Sequence, residues 1–249
     1  MYQLGKKPFV PDDRDFKLAQ VEVALPPAPK FPFGYGRTYP DWGMLGNDNA
    51  GDCVWAGADH ETMLWNHLTG HEVTFTDANA LDDYTAVTGY DPNDPSTDQG
   101  TDVRAAMGYR KNTGVVDSNG VRHKIAAYVS IDPKDWDLML TCIWTFGAVG
   151  IGFEFPETAW EQWDNGIPWD YVPGTPPPNE GHYVPGVGSA YPAGRVTIIS
   201  WAKRFEMTKA FYEQYNDETW VPLTQESLLP ASNVRHINWQ RLNEMLTSL

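Results

Sequence analysis

The chain has 249 residues, of which 41% are hydrophobic and 20% charged, enough for one large globular domain or two lobes around a shared cleft. Its net charge of −15 gives an acidic surface that repels phosphate groups, which argues against nucleic acid and against anionic membranes as direct partners. Residues 1–30 lack the apolar run of a signal peptide, and no stretch approaches the length that spans a bilayer. We therefore expect a protein of the cytoplasm or of an assembled particle.

The first half of the sequence predicts an extended arm followed by helices. Residues 1–37 are rich in Pro and Gly, which favours an arm with little regular structure that lies on the body of the protein or on a partner. The rest, 38–249, is predicted to be one domain. Its first three helices are predicted at 53–68, 78–89 and 101–113. The first of them has a broad apolar face, with Asp52 as its N-cap and Gly70 as its stop.

The second half predicts mainly strands. The predicted strands are 123–130, 148–155, 183–188, 195–201 and 218–225, and the predicted helices are 132–146, 207–215 and 238–247. A long loop rich in Trp and Pro occupies 154–181, and a turn at 191–194 joins two strands as a hairpin. Helices first and an antiparallel sheet later indicate an α+β fold, with a helical lobe over about 38–122 and a β lobe over about 123–249.

Two cysteines do not make a disulfide framework, so each is considered singly. Cys142 lies in an apolar stretch at helical spacing and is predicted to be a buried core thiol. Cys53 falls at the first position of a long helix, where the macrodipole lowers the pKa of a thiol and enriches the nucleophilic thiolate. The neighbouring Asp52 carboxylate opposes this effect unless its side chain turns away to cap the helix.

Among the six histidines, His182 is the candidate base. It follows a glycine and opens an apolar strand, so its ring can present a nitrogen to a cleft. The alternative is a strand-edge histidine satisfied by the backbone. The other histidines are interpreted as packing, surface or loop residues: His60, His67, His71, His123 and His236.

Two motifs resemble those of the papain family of cysteine peptidases. The segment Asn-Asp-Asn-Ala-Gly-Asp-Cys at 47–53 is similar to the family's nucleophile segment, and Gly-His-Tyr-Val-Pro-Gly-Val-Gly at 181–188 to its histidine segment. Their separation, 182 − 53 = 129, matches the roughly 130 residues typical of papain-like enzymes. The resemblance implies a papain-like fold, with an active-site cleft between a helical lobe and an antiparallel β-sheet or barrel lobe.

The resemblance also implies roles for individual residues. Cys53 would be the nucleophile and His182 the general base and acid. Asn47 stands where the family has a Gln that donates to the oxyanion, together with the backbone N–H of Cys53. The family orients its histidine with an Asn, whose position holds Ile199 in one register and Ser200 in another. Only Ser200 could form that hydrogen bond, and it would hold an imidazole less firmly than an amide does.

A closer resemblance is to uncharacterised proteins of actinobacteria and their phages. It rests on the pattern Trp-x-Met-x-x-Asn-Asp-x-x-Gly-Asp-Cys at 42–53, on Ser-Trp at 200–201, and on Met-Thr-x-x-Phe at 207–211. That group has no settled activity, so this resemblance supports the fold better than a function. It also implies a phage or actinobacterial source.

No metal or cofactor site is predicted. The loop 91–102 has oxygen ligands suited to Ca²⁺ but lacks the EF-hand spacing, and a solvated acidic loop that caps the following helix is favoured. No His/Cys cluster suggests zinc, and no Gly-rich loop after a strand suggests a nucleotide.

Two functions remain open. The first is a cysteine peptidase or amidase that cleaves a peptide, such as a cell-wall peptide. The second is a structural or binding protein, such as a phage capsid or tail component, that kept the fold and lost the chemistry. In the second case the arm and the loop 154–180 would be surfaces for protein partners.

Overall fold

The computed structural model of the chain describes residues 2–20, 25–175, 177–178, 180–224 and 226. The helix predicted at 238–247 lies outside this described part. Among the described residues, no helix has the length and apolar character needed to cross a membrane.

The α-helices of the described residues are α1 (Cys53–Leu68), α2 (Asp77–Thr88), α3 (Val103–Asn112), α4 (Trp136–Phe146), α5 (Thr158–Asp164) and α6 (Lys209–Tyr215). The strands are β1 (Phe33–Gly34), β2 (Val115–Val116), β3 (Arg122–His123), β4 (Ala127–Ile131), β5 (Val149–Glu154), β6 (Gly181–Ser189), β7 (Arg195–Ser200), β8 (Lys203–Thr208) and β9 (Asn216–Leu223). Short 3₁₀ turns lie at Leu18–Gln20 and Pro95–Thr97. The α+β class predicted from the sequence is confirmed.

A seven-stranded antiparallel sheet forms the β lobe. Its order is β4-β9-β5-β6-β7-β8, with β1 added to β6, while β2 and β3 pair separately. The path runs from β4 at one end to β8 at the other, so the sheet is open and not a closed barrel. The hairpin predicted through 191–194 is confirmed by the antiparallel pairing of β6 with β7.

Helix α1 lies against the sheet and is buried along almost its whole length. It approaches β6 closely because Gly57 has no side chain: a Cβ there would lie 2.7 Å from the Tyr183 ring. A buried ion pair, Glu61 to Arg110 at 2.7 Å, joins α1 to α3, and the Tyr183 hydroxyl donates to the same Glu61 carboxylate at 3.0 Å. These contacts fix the middle of α1 relative to the start of β6.

The helices of the first half are where the sequence predicts them, but one predicted cap is wrong. The Thr76 side chain caps α2, and Asp102 caps α3 by accepting a hydrogen bond from the Ala105 amide at 2.8 Å. Asp52 occupies the N-cap position of α1, yet its side chain makes no capping hydrogen bond. The carboxyl is wholly buried, and burial raises its pKa well above the usual range. A neutral carboxyl has little to gain from the helix N-terminus.

Four features of the second half differ from the prediction. The predicted strand at 123–130 is interrupted between β3 and β4. Helix α4 begins at Trp136, and its N-cap is Asp135 and not the predicted Asp132. Asp132 instead accepts a hydrogen bond from the Lys134 amide in a tight turn before the helix. The predicted loop at 154–181 contains α5, and β8 was not predicted. Strand β8 is at the sheet edge and carries Lys203, Arg204 and Glu206, so it lacks the apolar alternation of a buried strand.

The N-terminal arm lies on the body of the protein, one of the two placements predicted for it. Strand β1 of the arm pairs with β6. Earlier in the arm, the Phe16 carbonyl accepts a hydrogen bond from the Ser130 amide of β4 at 2.8 Å. The first residues of the arm, 2–7, run between α1 and the start of β6, and we call them the cleft segment.

Candidate active site

Cys53 is the first residue of α1, as predicted, but the predicted lowering of its pKa is wrong for this state. The thiol is only 2% exposed, and burial raises its pKa to about 12. Hydrogen bonds from the backbone of Tyr183 and Gly5 oppose the rise, whereas the Asp52 carboxyl adds to it. The rise in pKa caused by desolvation therefore outweighs the lowering expected from the helix N-terminus, and the thiol is protonated at neutral pH.

The cleft segment is what lies over this thiol, and it is held by backbone hydrogen bonds to both walls of the cleft. On the sheet side, the amides of Gly5 and Lys6 donate to the Gly181 carbonyl at 3.1 and 3.0 Å. On the helical side, the Thr101 amide donates to the Gly5 carbonyl at 2.7 Å, and the Lys7 amide donates to the Thr101 carbonyl at 2.9 Å. The cleft thus binds an extended peptide backbone.

Glycines make this close approach sterically possible. A Cβ on Gly5 would overlap the carbonyl of Gly51, and a Cβ on Gly181 would overlap the carbonyl of Lys6. Gly51 precedes Cys53 by two residues, and Gly181 directly precedes His182. The segment therefore passes beside the backbone that leads into both predicted catalytic residues.

The structure brings His182 and Ser200 together. Atom Nε2 of His182 lies 2.9 Å from Oγ of Ser200, whereas Nδ1 is buried with no hydrogen-bond partner among the described residues. Burial lowers the pKa of His182 to about 3, so the ring is neutral. Of the two registers left open by the sequence, Ser200 is the one that faces the histidine, and Ile199 packs in the hydrophobic core around α1.

Trp201 covers the histidine, and sequence reasoning did not assign it to the site. Its indole stacks on the His182 ring at 4.5 Å with an interplanar angle of 18°. Trp201 and Ala202 form the two-residue turn between β7 and β8, with φ values of 41° and 62°. Such turns usually carry Gly or Asn. Strained backbone of this kind concentrates at functional sites, and here it places an indole over an imidazole.

Asn47 binds the cleft segment. Its Nδ2 donates to the Gln3 carbonyl at 3.2 Å and to the Ala50 carbonyl at 3.0 Å, and the Gln3 amide donates to the Asn47 carbonyl at 3.1 Å. The indole N–H of Trp201 donates to the same Gln3 carbonyl at 3.4 Å. The amide to which the resemblance assigns oxyanion binding thus donates to a peptide carbonyl in this structure.

Asp98 organises the helical wall and was also missed, because the sequence presents it only as one acid in the loop 91–102. It accepts from the Gly51 amide at 2.9 Å and from the Tyr84 hydroxyl at 2.6 Å. The Tyr84 oxygen in turn accepts from the Gly100 amide at 2.9 Å. Elsewhere in the loop, Asp91 and Asp94 accept from nearby amides in tight turns. Within the described residues, no group of three or more His, Cys, Asp or Glu side chains is placed to hold a metal ion.

No protein-family model and no curated protein match the chain. Solved structures do resemble it. Xylellain, a cysteine protease from Xylella fastidiosa, aligns over 90% of this chain and 96% of its own, with a TM-score of 0.66 and 16% identity. A cysteine protease of Carica candamarcensis aligns over 79% of this chain and 99% of its own, with a TM-score of 0.55 and 13% identity. Digestive procathepsin L2 of Tenebrio molitor aligns over 81% of this chain and 69% of its own, with a TM-score of 0.54 and 16% identity. The papain-like fold predicted from the sequence is therefore confirmed.

Proposed function

We propose that the chain is a papain-like cysteine hydrolase that cleaves a peptide or amide bond and is held latent by its own cleft segment. The observation that carries the proposal is the binding of residues 2–7, by backbone hydrogen bonds, in the cleft between the segments that lead into Cys53 and His182. A groove that pairs with an extended backbone on two sides suits a peptide ligand. Cys53 and His182 are the nucleophile and base that this chemistry needs.

The chemistry begins when the segment leaves. Water then reaches Cys53, the desolvation that raises its pKa is relieved, and the N-terminus of α1 favours the thiolate. The His182 Nδ1, which has no partner among the described residues, takes the thiol proton. The Cys53 sulfur attacks the substrate carbonyl, and the oxyanion accepts hydrogen bonds from Asn47 Nδ2 and the Cys53 amide.

The remaining steps return the enzyme to its starting state. His182 gives its proton to the leaving amine, which leaves a thioester on Cys53. A water then attacks the thioester, with His182 again taking a proton, and release of the acid regenerates the thiol. Throughout, Ser200 holds Nε2 and Trp201 holds the ring plane.

A second candidate is a binding protein without activity. The observation that favours it is the hydroxyl of Ser200 at the position where the family has an amide, since it restrains the ring of His182 less. On this reading the cleft is permanently filled by the cleft segment. The sequence resemblance to phage proteins then suggests a virion capsid or tail component, with the outer arm and the loop 154–180 as contact surfaces.

The test displaces the segment by one substitution. In Gly5→Ala the new Cβ overlaps the Gly51 carbonyl, so the segment must move out of the cleft. Gly34→Ala is the matched control in the same arm, because its Cβ would meet only ordinary contacts at 3.7 Å or more. The measurement is Cys53 alkylation by iodoacetamide against pH, with the labelled peptide identified by mass spectrometry and Cys53→Ser as the blank.

The hydrolase proposal expects Gly5→Ala to label rapidly below about pH 7, and expects His182→Ala in that background to abolish the rapid phase. Turnover of a fluorogenic peptide pool should appear in the same variant and disappear with Cys53→Ser. Labelling that rises only near about pH 8.5, as for an ordinary thiol, would overturn the proposal and leave the binding protein.

A further inference from the structure

The cleft segment carries a lysine into a closed acidic pocket. The Lys6 side chain is completely buried, with Nζ 2.7 Å from Asp217 Oδ2 and 3.2 Å from Glu218 Oε1. The same ammonium donates to the Lys7 carbonyl at 2.9 Å. A buried ammonium is costly unless its charge is paired and its protons are accepted. Here two carboxylates and a carbonyl meet both conditions.

The pocket belongs to the body of the protein and not to the segment. Glu218 lies opposite Gly152 across the pairing of β9 with β5, and a Cβ on Gly152 would approach Lys6 Cε to 2.7 Å. The absence of a side chain at Gly152 therefore makes the room for the lysine stem. The Glu218 Oε2 accepts from the Trp220 indole N–H at 2.7 Å, which holds the carboxylate in place.

Removing the segment would leave this pocket without its cation. Glu218 is 4% exposed, and burial raises its pKa to about 7, while the Lys6 charge opposes the rise. An apolar side chain in the pocket would leave the desolvated Glu218 carboxyl, next to Asp217, without a cation to pair with. Sites whose buried polar groups would be left unpaired discriminate strongly against a ligand that lacks the matching group.

Lys6 also lies in register with both walls of the cleft. It forms isolated bridges with Thr101 on the helical side and with Gly181 on the sheet side. Gly181 directly precedes His182, so the backbone that pairs with Lys6 leads into the predicted catalytic histidine. A peptide residue that takes these two backbone partners would direct its side chain where Lys6 now lies.

We propose that Gly152, Asp217 and Glu218 form a specificity subsite that selects a lysine side chain in the peptide ligand of the cleft, and that Lys6 occupies this subsite in the closed state. This subsite rests on the proposed function for its role in catalysis, but its preference for lysine can be measured as binding alone. Lysine is favoured over arginine because a single ammonium satisfies both carboxylates and the adjacent carbonyl.

The test measures binding to the full chain carrying Gly5→Ala to free the cleft and Cys53→Ser to prevent turnover. The probes are fluorescent hexapeptides with the sequence of residues 3–8, identical except for lysine, arginine or norleucine at the position of Lys6. We expect the lysine peptide to bind about tenfold or more tightly than the norleucine peptide, with arginine between them. Glu218→Gln should reduce the lysine preference below about threefold, because the amide still accepts from Trp220 but carries no charge.

Two matched variants sharpen the result. Gly152→Ala should weaken binding of all three peptides by filling the space of the methylene stem that they share, while Glu206→Gln, on the edge strand β8, should leave all three affinities unchanged. Equal affinity for lysine and norleucine, or no binding of either, would overturn the subsite. If the peptides bind with lysine preference but the variant that retains Cys53 hydrolyses none of them, the subsite proposal stands and the hydrolase proposal is overturned. If that variant hydrolyses peptides without lysine preference, the hydrolase proposal stands and the subsite proposal is overturned.

Discussion

The Nε2 atom of His182 on β6 lies 2.9 Å from the Oγ atom of Ser200 on β7, and the neighbouring Trp201 stacks on the same ring. A hydroxyl rotates about its C–O bond and can donate or accept, so it holds either tautomer of the imidazole. The stacked indole fixes the plane of the imidazole ring, whereas the hydrogen bond to Ser200 restrains rotation of the ring within that plane. The position of Nδ1 within the ring plane therefore depends on the hydrogen bond to Ser200.

Ser200→Ala tests this dependence. In the Gly5→Ala background, loss of one buried hydrogen bond of about 1 kcal/mol should lower kcat/KM about fivefold to tenfold and slow Cys53 labelling below pH 7. Thr197→Ser, on the same strand, is the control and should retain full rates. Unchanged kcat/KM and labelling in Ser200→Ala would mean that Trp201 alone holds the histidine.

Much of this site follows from local sequence, and the rest depends on contacts between distant parts of the chain. The position of Cys53 at a helix start follows from the apolar period of the residues after it, and the β6–β7 hairpin from its turn at 191–194. To choose between Ile199 and Ser200, one must know which side chain lies on the face of β7 toward His182. The sequence does not show this, because every residue of β7 but the first is buried and the strand has no alternation of buried and exposed positions. The binding of the cleft segment was not predictable because backbone atoms, which carry no residue-specific signal, make its hydrogen bonds to Gly181 and Thr101.

The neutral form of His182 predicts a pH dependence of stability. Burial lowers its pKa from 6.5 to about 3, so the folded state binds its proton less readily than the unfolded state does. The stability that this histidine contributes is complete above about pH 6.5 and is lost as the pH falls toward 3. One pKa unit corresponds to about 1.4 kcal/mol, so we expect wild type to lose roughly 2–3 kcal/mol between pH 6.5 and 4.5 relative to His182→Gln.

Urea unfolding of wild type and His182→Gln at several pH values checks this expectation. The difference between the two proteins isolates the histidine, since the buried acids Asp52, Asp59 and Glu61 are common to both. A difference in unfolding free energy that stays constant from pH 7.5 to 4.5 would show that the ring is charged or exposed in the folded protein.

The buried pair of Glu61 and Arg110 predicts a large loss of stability on breaking it from one side. Arg110→Met leaves the Glu61 carboxyl buried without its cation, at a cost of roughly 3–5 kcal/mol. Burial already raises the pKa of Glu61, and loss of Arg110 should raise it further. A raised carboxyl pKa gives stability that is complete below the unfolded value near 4.5 and is lost as the pH rises, so the deficit should be larger at pH 7 than at pH 5.

Urea midpoints at the two pH values measure that deficit. Arg14→Met is the control, because Arg14 pairs with Asp12 on the surface and should leave the midpoint unchanged at both pH values. Equal midpoints for Arg110→Met and wild type would contradict a structural role for the pair.

The contact between Tyr2 and Trp201 predicts how readily the cleft opens. The two rings stack at 5.0 Å and 15°, and Tyr2 meets the edge of Trp163 at 5.9 Å. Aromatic pairs of this kind contribute about 1 kcal/mol beyond the area they bury. If Cys53 is reached only when the cleft segment lifts, its labelling rate reports the open fraction. Tyr2→Ala should then raise the iodoacetamide rate at fixed pH about fivefold to tenfold, because a free-energy change of about 1.4 kcal/mol is a factor of ten.

Phe31→Ala is the matched control for this experiment. Phe31 is also an aromatic residue of the arm, but it is 55% exposed and meets the edge of Trp144. Its loss should leave the labelling rate of Cys53 at the wild-type value. A rate that rises equally in both variants would point to general loosening of the arm, and a rate that rises in neither would mean that the reagent reaches Cys53 without displacement of the segment. A rise in Tyr2→Ala alone would identify lifting of residues 2–7 as the step that exposes the thiol.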